Sequence, residues 1–255
     1  MPKVGVRDLD LYYEIHGNPD GEPLVLLHGF LSTGRIFAPF LDQLGKNYQV
    51  FVPDWRGHGR TLNPRSEISH AELARDTAAF AAALGLERAH FCGHSSGGMH
   101  LLFLALEHPK LVHTLTLVSA TYTFDDYLKA RVREARDSDA AEWIDSLIAL
   151  HGEIHGPNYA KTLVDHWVTS VHRPDELPFT TEDLGEISCP TLILHGDRDR
   201  YFPLHVPLTM FQSIPNAELG ILPNCGHLLP DESPEMFLTL LSDFLSRNSI
   251  VDESR

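Results

Sequence analysis

The sequence predicts an α/β protein in which a mostly parallel sheet is covered by helices on both faces. Three observations carry this. Short apolar runs suited to buried strands alternate with helix-like segments along the chain, the pattern that builds parallel sheets through crossover connections. A glycine-flanked serine, Gly93-His94-Ser95-Ser96-Gly97-Gly98, falls between one such run and a helical segment. From Thr121 to Ile187 the alternation lapses into charged and aromatic helical pieces, and then it resumes.

The elements follow in order. Val4 to His16 alternates and reads as a strand or hairpin, closed by Gly17-Asn18-Pro19-Asp20-Gly21. Leu24-Val25-Leu26-Leu27 is continuously apolar, as a strand buried on both faces must be. Ile36 to Leu44 is a short helical piece, and Val50-Phe51-Val52 is the next strand, stopped by Pro53-Asp54. Ser69 to Leu84 is an Ala-rich helix with Leu73, Phe80 and Leu84 on its buried side and Gly85 closing it. Ala89 to Cys92 reads as a strand, Gly97 to Glu107 as a helix ending before Pro109, and Leu115 to Val118 as a strand. After the lapse come a strand at Thr191 to Leu194, a helix over Leu204 to Ser213, a strand at Glu218 to Leu222 and an amphipathic helix over Glu235 to Ser246. Asn248 to Arg255 reads as a frayed tail.

Composition narrows the function. With 255 residues, 43% hydrophobic and 22% charged, the chain has an ordinary globular make-up. Twenty Lys and Arg stand against 35 Asp and Glu, a formal charge of −15. Such a surface repels phosphate backbones and anionic lipid, so neither nucleic acid nor membrane is expected as a partner. Cys92, Cys189 and Cys225 have no metal-ligand spacing and are odd in number, which reads as reduced thiols. The N-terminus lacks an apolar signal segment and no run approaches membrane-spanning length. The expectation is a cytoplasmic protein acting on a small molecule.

The chemistry lies in four loops. Gly93-His94-Ser95-Ser96-Gly97 has the G-x-S-x-G form in its required setting, directly after a strand and before a helix. A serine on so sharp a turn has a strained backbone, and only residues without Cβ fit two places before and after it. The turn lifts the Ser95 hydroxyl above the sheet, near the positive end of a helix. Leu26-Leu27-His28-Gly29-Phe30 follows an early strand; acyl transfer needs two backbone amides aimed at an oxyanion, and those of Phe30 and Ser96 are the candidates. His195-Gly196-Asp197-Arg198-Asp199 puts two acids beyond a late strand, and Asn224-Cys225-Gly226-His227 lies beyond the last. The order serine, aspartate, histidine suits a hydroxyl that needs His227 to take its proton and a carboxylate to orient that imidazole.

These motifs, together with Asp54-Trp55-Arg56-Gly57-His58-Gly59-Arg60, which is similar to a D-x-R-G-x-G-x-S segment, make the chain resemble the α/β-hydrolase superfamily over nearly its whole length. Arg60-Thr61 departs from the small residue usual there. The resemblance implies an eight-stranded, mostly parallel sheet with the first strand or hairpin as its antiparallel edge. It implies a core of residues 1–120 and 188–255, a helical cap over 121–187, and an active site between them. The family's G-x-x-D pattern, read from Gly196, selects Asp199 as the triad acid; Asp197 is better placed to bond backbone amides of the turn. The expected site is therefore Ser95, Asp199 and His227 with the amides of Phe30 and Ser96, and neither cofactor nor metal.

The leading expectation is a serine hydrolase of a small ester or lactone, its substrate an apolar acyl or aryl compound. Enzymes of this fold also hydrolyse C–C bonds, form halogenating peracids or catalyse eliminations with the same triad. His94 stands where C–C hydrolases often carry Asn, and Gly97-Gly98-Met99-His100 differs from the G-G-G-E run of haloperoxidase-like esterases. Ser95 excludes the aspartate-nucleophile mechanism, and a slow-turnover ligand receptor is the non-enzymatic rival. Elsewhere, His151 and His155 have a helical spacing that could hold zinc but read as a solvated surface, and Arg131, Arg133 and Arg136 read as an exposed helix face. Tyr122, Phe124, Tyr127, Trp143, Trp167 and Phe179 supply aromatics to the insertion, some to its core and some to a substrate cleft.

Overall fold

A computed structural model describes residues 2–65, 68–138, 140–156 and 158–250, with the backbone alone between 135 and 144. Strands β1 (Lys3–Val6), β2 (Leu9–Gly17), β3 (Glu22–Leu27), β4 (Tyr48–Pro53), β5 (Ala89–His94), β6 (Val112–Val118), β7 (Thr191–Gly196) and β8 (Ala217–Leu222) form one sheet. Its order is β1-β2-β4-β3-β5-β6-β7-β8. The β1–β2 hairpin is antiparallel and β2 also runs antiparallel to β4; from β4 to β8 every pairing is parallel. This is the α/β-hydrolase fold, with the antiparallel edge where it was expected.

The connections are a 3-10 turn (Gly34–Phe40) and helices α1 (Leu41–Leu44), α2 (His70–Ala83), α3 (Ser96–Glu107), α4 (Asp126–Ser138), α5 (Ala140–His155), α6 (Tyr159–Ser170), α7 (Thr181–Leu184), α8 (His205–Ser213), α9 (Leu229–Glu232) and α10 (Pro234–Arg247). Leu24, Val25, Leu26 and Leu27 are fully buried because β3 has helices on both sides. One core packs Phe80, Leu101, Leu104 and Met210 of α2, α3 and α8 on one face. The other joins Phe37 and Phe40 to Phe237, Leu241 and Phe244 of α10. Ser69 caps α2 by accepting from the Glu72 amide at 3.2 Å, and Gly85 ends that segment at φ 70°.

Between β6 and β7 the described residues hold four helices, α4 to α7, and no strand. This insertion packs Leu147 against Ala160 and Val164 and seats Leu128, Val132 and Leu163 on the main core. The start of the tail differs from expectation. The Asn248 amide group donates to Phe244 O, the Ile250 N–H to Glu22 Oε1, and the Asn248 carbonyl accepts from His113 Nε2, so 248–250 are docked; residues 251–255 lie outside the described residues.

Register aligns the strand ends that matter. Leu27 pairs with Gly93, His94 with Val118, Val118 with Leu194 and Gly196 with Leu222. The loops after β3, β5, β7 and β8 therefore open at one edge of the sheet, the edge where α/β sheets bind ligands.

Candidate active site

Ser95 joins β5 to α3 with φ 53° and ψ −119°, outside the regions an L-residue favours. The turn closes because strand and helix nearly touch. A Cβ on Gly93 would lie 2.4 Å from the Gly97 carbonyl, and one on Gly97 would lie 2.2 Å from Leu27 O. The Ser95 N–H donates to Val118 O at 2.8 Å, which pins the strained residue to β6.

His227 Nε2 lies 3.0 Å from Ser95 Oγ, and His227 Nδ1 lies 2.8 Å from Asp199 Oδ2. Since an ionised carboxylate only accepts, the proton sits on Nδ1, and in the neutral ring Nε2 presents its lone pair to the Ser95 hydroxyl. Asp199 is buried, and its Oδ1 accepts from the amides of Tyr201 at 2.8 Å and Phe202 at 3.1 Å. Burial works to raise the Asp199 carboxyl, but the imidazoles of His227 and His195 and these hydrogen bonds outweigh it and hold it below the usual carboxylate range. Asp197 lies elsewhere: its Oδ1 accepts from the Cys225 amide at 3.1 Å, while the Arg198 amide donates to Cys225 O at 2.8 Å. That side chain thus ties the β7 loop to the loop carrying His227, rather than bonding within its own turn. His94 Nε2 donates to the His227 carbonyl at 2.9 Å, and the rings of Tyr201 and Phe202 pack edge-on against the imidazole.

Phe30 and Ser96 line the same cavity as Ser95 and His227. The backbone at Gly29 presses on the elbow, where an added Cβ would meet Ser95 Cβ at 3.2 Å. The Asp54 to Arg60 segment buttresses this loop from below. The Leu31 amide, at φ 65°, donates to His58 Nε2 at 3.3 Å, the Trp55 amide donates to His28 Nε2 at 3.2 Å, and Asp54 accepts from the amides of Gly34 and Arg60. Arg60 uses its larger side chain to reach Asp54 at 2.9 Å and to lie over the Tyr12 ring. Burial drives His28 down to about 4 and His58 well below the usual imidazole value, so both are neutral acceptors.

The cavity has a volume of about 320 Å³. Phe124 and Trp167 reach it, Tyr122 and Phe179 pack on the core, and Tyr127 is largely exposed; the Trp143 and Arg136 side chains lie outside the described residues. Arg131 pairs with Glu134, and Arg133 is exposed. His151 is not a solvated surface residue. It is buried, accepts from the Gly59 amide at 2.9 Å and faces Leu31 O, because α5 lies across the Asp54 to Arg60 segment; His155 stacks on Tyr159. Sequence reading passed over His70 and Glu176, 106 positions apart, whose side chains meet at 2.6 Å beside Ser96; no spacing rule could have joined them. Among the described residues no three metal-ligating side chains gather, and no helix is long and apolar enough to cross a membrane.

Comparison with known proteins agrees with this architecture. Residues 24–240 match the model of the alpha/beta hydrolase family. The chain is 30% identical to "Putative carbamate hydrolase RutD" of Caulobacter sp. strain K31, over 92% of this chain and 96% of that protein. It is 27% identical to the 2-hydroxymuconate semialdehyde hydrolase of Pseudomonas putida, over 96% and 95% of the two chains. The solved structure of Est816, described as an N-acyl homoserine lactone degrading enzyme, superposes with a TM-score of 0.77 at 27% identity, covering 96% of this chain and 100% of that one. With the family model spanning most of its length, the chain belongs to the alpha/beta hydrolase family.

Proposed function

We propose that the protein is a serine hydrolase that cleaves a small carboxylic ester or lactone through an acyl-enzyme intermediate. The observation that carries this reading is the hydrogen-bonded chain Ser95–His227–Asp199 at the floor of the cavity. Ser95 Oγ adds to the substrate carbonyl carbon as His227 Nε2 takes its proton. The oxyanion is held by the amides of Phe30 and Ser96, and Asp199 stabilises the imidazolium. Collapse of the tetrahedral intermediate breaks the bond to the leaving oxygen, which receives the proton from His227. A water deprotonated by the same ring then attacks the acyl-serine, and the acid is released with Ser95 restored.

The insertion over 121–187 serves as the cap. Met99, Leu128, Leu147, Leu150, Phe124 and Trp167 give the cavity an apolar wall, and its volume lies at the small end of ligand sites. An apolar acyl or aryl group of modest size suits such a wall. The relative named as a 2-hydroxymuconate semialdehyde hydrolase favours one second reading, C–C bond hydrolysis by the same residues.

The test is turnover of short p-nitrophenyl esters, lactones and vinylogous diketones by the wild type and by Ser95→Ala. Ester or lactone hydrolysis that falls by about 10³-fold or more in the variant is expected. Turnover confined to the diketones would favour the second reading. Equal activity in both proteins would remove Ser95 from the mechanism.

A further inference from the structure

Ser96 follows the proposed nucleophile and starts a second hydrogen-bonded chain at the same cavity. Its Oγ lies 3.0 Å from His70 Nε2. His70 Nδ1 lies 2.6 Å from Glu176 Oε1, which also accepts the His70 N–H at 2.9 Å. Glu176 Oε2 pairs with Arg173 at 2.8 Å. Ser96, His70 and Glu176 are all buried, yet Ser96 and His70 both line the cavity. The chain draws on three regions, the elbow, the first residue of α2, and the segment between α6 and α7 of the insertion.

The hydrogen-bond inventory fixes the direction of this chain. An ionised carboxylate only accepts, so His70 carries its proton on Nδ1 toward Glu176. A ring carrying that proton alone offers a lone pair at Nε2, to which the Ser96 hydroxyl donates. With its one proton committed, Ser96 Oγ can only accept from the cavity. The amide of the same residue is proposed to hold the carbonyl oxygen, and Ser96 lines the cavity together with Ser95.

We propose that Ser96 Oγ is a subsite for a hydrogen-bond donor, a hydroxyl or N–H, carried by the acyl part of the substrate next to the scissile carbonyl. His70 and Glu176 are positioning residues that fix the direction of the Ser96 proton. The proposal rests on the serine-hydrolase reading and narrows its substrate class to acyl groups bearing such a donor, such as α-hydroxy acids.

The test compares phenyl glycolate with phenyl methoxyacetate, which have similarly activated carbonyls but differ in whether the α-oxygen can donate. The readout is the ratio of their kcat/KM values, divided by the ratio for hydroxide hydrolysis. In the wild type a preference of roughly tenfold for the hydroxy ester is expected, the scale of one hydrogen bond in a site built for it. Ser96→Ala should bring the ratio to about one, and Ser96→Thr should restore it. His70→Leu is the sharper probe. It leaves the Ser96 hydroxyl without its acceptor at Nε2, so the Ser96 proton is free for the cavity. The ratio should then fall to one or invert. A wild-type ratio near one, or a preference that survives Ser96→Ala, overturns the subsite while Ser95-dependent hydrolysis stands. Loss of Ser95-dependent hydrolysis of both esters overturns the underlying reading as well.

Discussion

Acidification from pH 7 to pH 5 should destabilise this protein through histidines that the fold holds neutral. His28 and His94 are fully buried, and burial lowers them to about 4 and about 3. The geometry agrees: His28 Nε2 accepts the Trp55 amide while Nδ1 donates to Gly29 O, so a second proton would set two donors against each other. In the unfolded chain each ring takes up its proton near pH 6.5. Below that value the unfolded state binds more protons, so stability is intact above pH 6.5 and is lost as pH falls toward the folded values. At about 1.4 kcal/mol per unit, each ring costs roughly 2 kcal/mol at pH 5, or about 4 kcal/mol for the pair. His58 and His100, both held well below the ordinary value, act in the same direction. Asp199 titrates below this window and does not offset them. The loss is a large part of a typical stability of about 5–15 kcal/mol. Urea unfolding followed by tryptophan fluorescence at pH 7 and pH 5 measures it. His100→Phe, which keeps an aromatic ring against Trp55 and removes one imidazole held neutral, should reduce the difference. Unfolding free energies that agree within about 1 kcal/mol across this range would refute the reasoning.

Two further outcomes follow from the site. Asp199→Asn should lower kcat by about 10³–10⁴-fold on the best ester, because it removes the acceptor that fixes the His227 tautomer, whereas Asp197→Asn should leave most of the rate and cost about 1 kcal/mol in thermal or urea unfolding through its weakened bond to the Cys225 amide. The reverse order of the two rate losses would move the acid to Asp197. Gly97→Ala should yield little folded protein, since its methyl would meet Leu27 O at 2.2 Å between backbones that have no side chain to yield. Recovery of native circular dichroism and full esterase activity in that variant would contradict the packing described.

Most of the fold was legible because its strands are buried on both faces. Leu24 to Leu27 and Leu115 to Val118 read as continuous apolar runs for that reason, and the glycines of the elbow mark a turn that admits nothing larger. The strand ends align in register, so motifs far apart in the chain fall at one edge, and their order alone suggested which loops meet. What stayed hidden depends on contacts without local spacing. His151 read as a surface histidine because its burial comes from the crossing of α5 over Gly59, 92 positions away. His70 and Glu176 carry no motif, and their meeting beside Ser96 is set by how the insertion docks. The tail is held by Glu22 and His113, partners more than a hundred residues upstream.

The central claim is that Ser95 is a nucleophile activated by His227, and covalent labelling tests it most directly. Folded protein treated with a fluorophosphonate at pH 7.5 should gain one adduct, and peptide mass spectrometry should find it on Ser95. His227→Ala should slow the labelling by about 10³-fold or more, since the hydroxyl then has no base 3.0 Å away. An adduct on Ser96 or another residue, or labelling of Ser95 at the same rate without His227, would contradict the account.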